Sequence, residues 1–339
     1  MKLFKSFFKK LFYTIVLIAV SLTLFEIVFR GQFVDFYQVD FNELNPTSSD
    51  STRTEVINVF GDNFTASAES YVSILRKKLP HVKINNHGIQ ESGIIETNII
   101  AAKRLQDHPS KTVIYQIYVG DDLVDLNPTL NWAHKPIWRN SFWLTSNYFR
   151  CLHYSNTRIW QFLHKHPWEK NVSELKGIPY SLEAYSKKQK RLFEYEPDYL
   201  EKSINQYGKR KEDSIELLNE LDEFIKHCGK QENIILVVIP HCAQIHQKYF
   251  QRSKDLGAQF LHPELIQRNN YPLIQSIVDR TSENKAIHVI NPRQELSRLE
   301  KSGISVYSEN DPHLNSRGHQ VIANEIWKIL NELTPSKNQ

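Results

Sequence analysis

The stretch "NDPHLNSRGHQVIA" places Asp311 two residues before His313, just ahead of an amphipathic run. A carboxylate and an imidazole so close together are residue types that move protons in acid–base chemistry. Far upstream, "INVFGDNFTAS" sends an apolar strand into Gly61-Asp62 and a turn. That layout presents a nucleophile at a strand's carboxyl end, yet the residue presented is Asn63, and a neutral amide is not a nucleophile. Two further apolar runs close on glycines: Gly88 in "NNHGIQESG" and Gly120 in "YVGDDLVD", where Asp121 and Asp122 follow.

These residues need elements to hold them, and hydrophobic periodicity supplies candidates. "EVINVF", "VKINNHG", "TVIYQIYVG", "NIILVVIP" and "AIHVINP" read as strands. "SAESYVSILRKKLP" reads as a helix with Tyr71, Ile74, Leu75 and Leu79 on one face. "SGIIETNIIAAKRLQ", "SIELLNELDEFIKHCGK" and "SRGHQVIANEIWKILNELT" have helical spacing. Alternating strands and helices predict an α/β fold: a three-layer α/β/α sandwich with a mainly parallel sheet, preceded by one transmembrane helix. In such folds the site lies at the carboxyl ends of the strands, where Asn63, Gly88 and Gly120 fall.

The N-terminus predicts a membrane partner. Lys2, Lys5, Lys9 and Lys10 precede "LFYTIVLIAVSLTLFEIVF" and Arg30. That run is about as long as the roughly 20 residues needed to cross a bilayer as helix. Lysines on its N-terminal side place that end in the cytoplasm and the rest of the chain outside. A cleaved signal peptide is the competing reading, since Ala19-Val20-Ser21 loosely resembles a cleavage site, but the apolar stretch runs well past it. The expected organisation is a cytoplasmic stub and anchor over 1–30, a stalk or linker over 31–54, and an α/β domain over 55–335. A helical insertion without strand signal is expected at about 126–215, carrying Trp132, Trp138, Trp143, Trp160 and Trp168. Its aromatics either pack as core, line a groove for sugar rings, or meet the membrane interface. Within it, "SKKQKRLFEYEPDYLEKS" reads as a solvated charged surface.

A net charge of +4 over 339 residues, with the basic groups scattered beyond the N-terminus, gives no footprint for nucleic acid. Cys151, Cys228 and Cys242 lack CxxC spacing and indicate neither a zinc site nor a disulfide framework, although a Cys228–Cys242 pair stays open. No metal or organic cofactor is expected.

Four short blocks, in order, resemble the SGNH (GDSL-type) hydrolase family, in particular its bacterial members with a single N-terminal membrane anchor. Gly61-Asp62-Asn63 stands for Gly-Asp-Ser, Gly88 for the second-block glycine, and Gly120-Asp121-Asp122 for Gly-Asn-Asp. Asp311 and His313 stand for the closing carboxylate and histidine. The resemblance covers roughly Glu55 to Asp125 and Asn233 to Leu330. It implies an ester hydrolase or O-acyl transferase, with an acylated glycan of the cell surface or another ester as substrate. It also implies catalytic roles at Asn63, Asp311 and His313, and oxyanion or substrate binding at Gly88, Gly120 and Asp121.

The chain departs from that family at its most reactive positions. Asn63 replaces the serine, whose loss in a triad costs on the order of a millionfold in turnover. Asp121 replaces the oxyanion asparagine, and losing one such donor costs about 10²–10³-fold. The usual carboxylate, three residues before the histidine, is Asn310 here. Rescue by Thr65, Ser67 or Ser70, or attack by a water with Asp121 as base, are the routes left to an active enzyme. The alternative is a catalytically inactive relative that binds an acylated glycan or a protein partner. His319 is expected as helix packing, Asp62 and Asp122 as turn acceptors, and His87 as an exposed loop residue. His241 and Cys242 sit at another strand end without evident metal partners.

Overall fold

Five apolar runs form one sheet: β1 (Glu55–Phe60), β2 (Val82–Asn86), β3 (Thr112–Tyr118), β4 (Asn233–Ile239) and β5 (Ile287–Ile290). In the computed structural model, which describes residues 2–46, 55–128, 136–163, 178–229 and 233–333, every pairing is parallel. The strand order is β2-β1-β3-β4-β5. β3 lies between β1 and β4 and is buried along its whole length, which is why it reads as an unbroken apolar run rather than an alternating one.

Alternate side chains of each strand feed two cores. Ile57 and Val59 of β1, with Ile114 and Ile235, pack against Tyr71 and Leu75 of helix Tyr71–Lys78 and Ile322 and Ile326 of helix Ser316–Leu333. Phe60 and Tyr115 point the other way and meet Phe224 of helix Lys209–Cys228, at ring-centroid distances of 5.5 and 4.7 Å. Helices therefore cover both faces, giving the expected three-layer α/β/α sandwich. Between β1 and β3 the connections leave the sheet in opposite directions, a topological switch point at which a site forms in folds of this strand order.

The chain forms two compact units, residues 39–129 with 169–339 and residues 1–38 with 130–168. This division differs from the expected one at two places. The stalk expected over 31–54 carries helix Gln38–Leu44, and from Val39 the chain belongs to the α/β unit. Phe41 is buried there, and the Asn45 carboxamide accepts the Asn86 N–H at 2.7 Å while donating to the Asn86 carbonyl. The insertion is also narrower than about 126–215, because the described residues from 178 onward belong to the α/β unit. Residues 47–54, Trp132, Trp168 and the Trp160 side chain lie outside the described residues.

Helix Lys209–Cys228 starts before the apolar "SIELL" because Arg210 is fully buried in its first turn. The Arg210 guanidinium binds Asp213 at 2.6 Å, Glu196, and the carbonyls of Leu123 and Asn127.

In the other unit, Ser6–Arg30 of helix Lys2–Arg30 is long and apolar enough for a membrane span or a signal sequence. Cys151, Cys228 and Cys242 are free and buried, so the Cys228–Cys242 bridge does not form.

Candidate active site

β1 ends in Gly61, whose φ of +154° and tight surroundings admit no side chain: a Cβ would stand 2.4 Å from Thr65 Oγ1. The turn that follows is closed by Asp62. Its Oδ1 accepts the Phe64 N–H at 2.8 Å, and its carbonyl accepts those of Thr65 and Ala66. This lifts Asn63 out of the core, half-buried at the strand end. The Asn63 side chain has a partner: its Oδ1 accepts the backbone N–H of Glu91 at 2.8 Å, and Glu91 itself holds a left-handed φ of 56°. Where the resemblance calls for an attacking hydroxyl, the chain has a carboxamide pinning a neighbouring loop.

The glycines are explained by close packing. A Cβ on Gly88 would sit 2.7 Å from the Ala66 nitrogen, and one on Gly120 would strike the Tyr118 ring at 2.2 Å. The Gly88 N–H is donated to Asn86 Oδ1 at 2.9 Å, so the oxyanion donor implied by the resemblance is already committed.

Asp311 and His313 lie in the loop between helices Arg293–Lys301 and Ser316–Leu333. Asp311 is buried, and its Oδ1 takes both the His313 backbone N–H, at 2.8 Å, and His313 Nδ1. The rest of "DPHLNSRGH" fixes the loop. Asn315 donates to the carbonyls of Ser305 and Tyr307 and accepts the first N–H groups of the closing helix. His313 is thereby held with its ring 4.9 Å from that of Phe64, next to the turn that carries Asn63. Spacing of two rather than three between carboxylate and histidine thus yields an intact pair.

Asn310, at the family's usual carboxylate position, is buried and does something else. Its side chain accepts the Ser181 N–H at 2.9 Å and donates to the carbonyls of Ile178 and Pro179, while its own carbonyl accepts the Ser186 N–H. It fastens the segment 178–186, which leads into helix Lys187–Tyr195. The second residue of that helix, Lys188, places Nζ 3.1 Å from Asp121 Oδ2. Lys188 belongs to the stretch expected as a solvated surface, and its sequence signal was a charge run indistinguishable from an exposed face. Only 37% of its side chain is exposed.

Around this pair negative charge accumulates. Asp62, Asp121 and Asp122 each bring a carboxylate oxygen within 4.8 Å of the others, the one such group among the described residues able to hold a metal ion. Burial, then the neighbouring Asp121, pushes the Asp62 carboxyl up to about 7. Burial and Asp62 push Asp122 well above the usual carboxylate range, while its Oδ2 accepts the Tyr118 N–H at 2.9 Å. Lys188 supplies the cation, and Asp121 and Asp125 keep its ammonium charged against the cost of burial. Burial alone would lower His313, but Asp311, and after it Asp121 and Asp62, outweigh that and push it up to about 9. The Asp311 carboxylate thus favours the protonated form of the ring.

The hydroxyls expected as substitutes for the serine have other surroundings. The Thr65 hydroxyl is buried between Tyr71 and Gln116, that of Ser67 accepts the Glu69 N–H, and that of Ser70 is buried without a partner. None of the three is hydrogen-bonded to His313. Asp121, the base required for direct attack by water, is tied to Lys188.

Three further histidines near the strand ends are buried. His319 packs on Phe64 and Tyr71 and is driven down to about 4 by burial. His87, expected as an exposed loop residue, is buried between Phe60 and His108, because its backbone N–H is donated to the Val59 carbonyl of β1 and holds the residue against the sheet. His241 accepts the Ala243 N–H and is lowered to about 3 by burial.

No protein-family model and no curated protein matches this chain. Among solved structures, a member of the lipolytic G-D-S-L family from Veillonella parvula aligns with a TM-score of 0.41 at 10% identity, covering 82% of this chain and 99% of its own. LAE5, an α/β hydrolase enzyme from the metagenome of Lake Arreo, Spain, aligns with a TM-score of 0.40 at 14% identity, covering 84% and 98%. Likeness at this level identifies neither activity nor substrate. Strand order and the parallel pairing assign the architecture. The fold is an α/β/α sandwich around a five-stranded parallel sheet. At the positions where the sequence resembles the SGNH blocks, residue 63 is a carboxamide and residue 121 an ion-paired carboxylate.

Proposed function

We propose that the α/β unit is an ester-binding domain in which the site of an SGNH-type hydrolase has been retained and its serine chemistry replaced. The carrying observation is the Asn63 carboxamide, engaged by the Glu91 N–H in the nucleophile's seat. The charged His313 and the Lys188–Asp121 pair support the same reading: they are groups suited to holding a polar ligand rather than to abstracting a proton. The ligand class is an acyl ester on a cell-surface glycan, a reading supported by the resemblance to anchored SGNH relatives. Placement outside the cytoplasm is supported by the lysines that precede the apolar helix.

The test uses the full chain in lipid nanodiscs. It is titrated calorimetrically with an O-acetylated oligosaccharide and with its deacetylated form, while acetate release is followed by NMR. The proposal expects binding that depends on the acyl group and no release of acetate above background. Acetate release that disappears in His313→Ala would show a working enzyme and refute it.

A further inference from the structure

The two helices that follow residue 135 belong to the same compact unit as the apolar N-terminal helix, and that unit exposes several large apolar side chains. Near the outer end of the apolar helix, Glu26 accepts the backbone N–H of Arg150 at 3.0 Å and that of Cys151 at 2.9 Å. These are the first residues of helix Arg150–Leu163, whose leading N–H groups have no partner within the helix and whose dipole favours a carboxylate there. One turn further on, Tyr154 packs its ring against Phe29, Phe36 and Tyr37 and donates its hydroxyl to the Phe36 carbonyl. Helix Arg150–Leu163 is thus bolted to the end of the apolar helix by a charged cap and an aromatic cluster.

What the bolt holds in place is apolar and uncovered. Just past Arg30, Phe33 is 74% exposed and Val34 is exposed beside it. In and beside helix Ile137–Ser146, Ile137 is 76% exposed, Trp138 68% and Tyr148 72%. The Arg139 guanidinium lies over the Trp143 ring at 5.7 Å. Tryptophan, tyrosine and arginine beside isolated aliphatics form the composition of a membrane–water interface, where an aromatic ring is half solvated and a guanidinium meets headgroup phosphate. The described side chains of the apolar helix are likewise exposed along most of its length.

We infer that helices Ile137–Ser146 and Arg150–Leu163 form a foot that rests in the lipid interface at the outer end of the apolar helix. The foot widens a single-helix anchor into a broader attachment. This rests on reading the apolar helix as a retained span. It assigns the described part of the tryptophan-rich insertion to the bilayer rather than to sugar binding.

The test separates the two readings. Single-cysteine variants Ile15→Cys, Trp138→Cys and Glu283→Cys of the full chain are labelled with an environment-sensitive fluorophore; the native cysteines are buried. Each is then reconstituted in phosphatidylcholine–phosphatidylglycerol vesicles containing nitroxide lipids, with the nitroxide either at the headgroup or deep in the acyl chain. The expected result is quenching of site 15 by the deep nitroxide, of site 138 by the headgroup nitroxide, and of site 283 by neither. Site 138 unquenched while site 15 is quenched overturns the foot and leaves the anchor standing. An unquenched site 15 overturns the anchor and the foot with it.

Discussion

Replacing Lys188 by methionine keeps the stem of the side chain and removes the cation that answers Asp121. The Nζ–Oδ2 separation is 3.1 Å. At an effective dielectric constant of about 20, Coulomb's law gives roughly 5 kcal/mol at that distance, an upper bound before desolvation. Lys188 is 37% exposed and Asp121 17%, so solvent screens part of this. Surface pairs contribute about 0.2–1 kcal/mol, and breaking a buried pair costs about 3–5 kcal/mol. Between those limits, with two more carboxylates within 4.8 Å of Asp121, a loss of about 2 kcal/mol is expected at pH 7.5. The loss must depend on pH. Without the cation, the aspartate cluster takes up protons more readily when folded than when unfolded. A carboxyl whose folded pKa is raised gains relative stability as pH falls, so at pH 5 the variant recovers most of the deficit. Urea denaturation of wild type and Lys188→Met at both pH values reads the difference directly. An equal loss at the two pH values, or none at pH 7.5, refutes the electrostatic role given to Lys188.

Three further outcomes are expected. In an NMR titration the His313 ring loses its proton near pH 9, and Asp311→Asn brings that midpoint down. The raised value means His313 stabilises the fold fully below pH 6.5 and loses that contribution as pH rises through 9, about 3 kcal/mol in all at 1.36 kcal/mol per pH unit. Arg210→Met strands Asp213 and the Glu196 carboxylate in the interior and costs about 3–5 kcal/mol, read by thermal or urea unfolding. Asn310→Ala removes the fastening of segment 178–186, costs about 1–3 kcal/mol, and speeds hydrogen exchange at the Ser181 and Ser186 amides.

Much of this molecule could be read from its residues because the relevant signals are local. The five strands stand out as apolar runs bounded by glycine, proline or asparagine, and a parallel sheet buries such runs on both faces. Gly61, Gly88 and Gly120 were legible as strand ends because a tight turn or a ring at van der Waals distance excludes a Cβ. Lys188 was not legible. Its neighbours Lys187, Lys190 and Arg191 form a charge run, and only the long-range fastening through Asn310 turns one of these side chains inward. Arg210 was hidden in the same way, since a buried arginine has the same letter as a solvated one. Segment 178–215 packs on the α/β unit through Tyr185, Phe193, Tyr199, Leu200 and Ile204, apolar residues set among enough charged neighbours to read as surface.

The measurement that bears most directly on the replaced nucleophile is intact-mass spectrometry after exposure to an aryl acetate or a fluorophosphonate. It is applied to the native chain and to Asn63→Ser side by side. The native chain is expected to remain unmodified, while the serine variant, exposed at a pH where the His313 ring has lost its proton, gains one adduct, located by peptide mapping to residue 63. An adduct on the native chain, mapped to the loops around His313, would contradict the account.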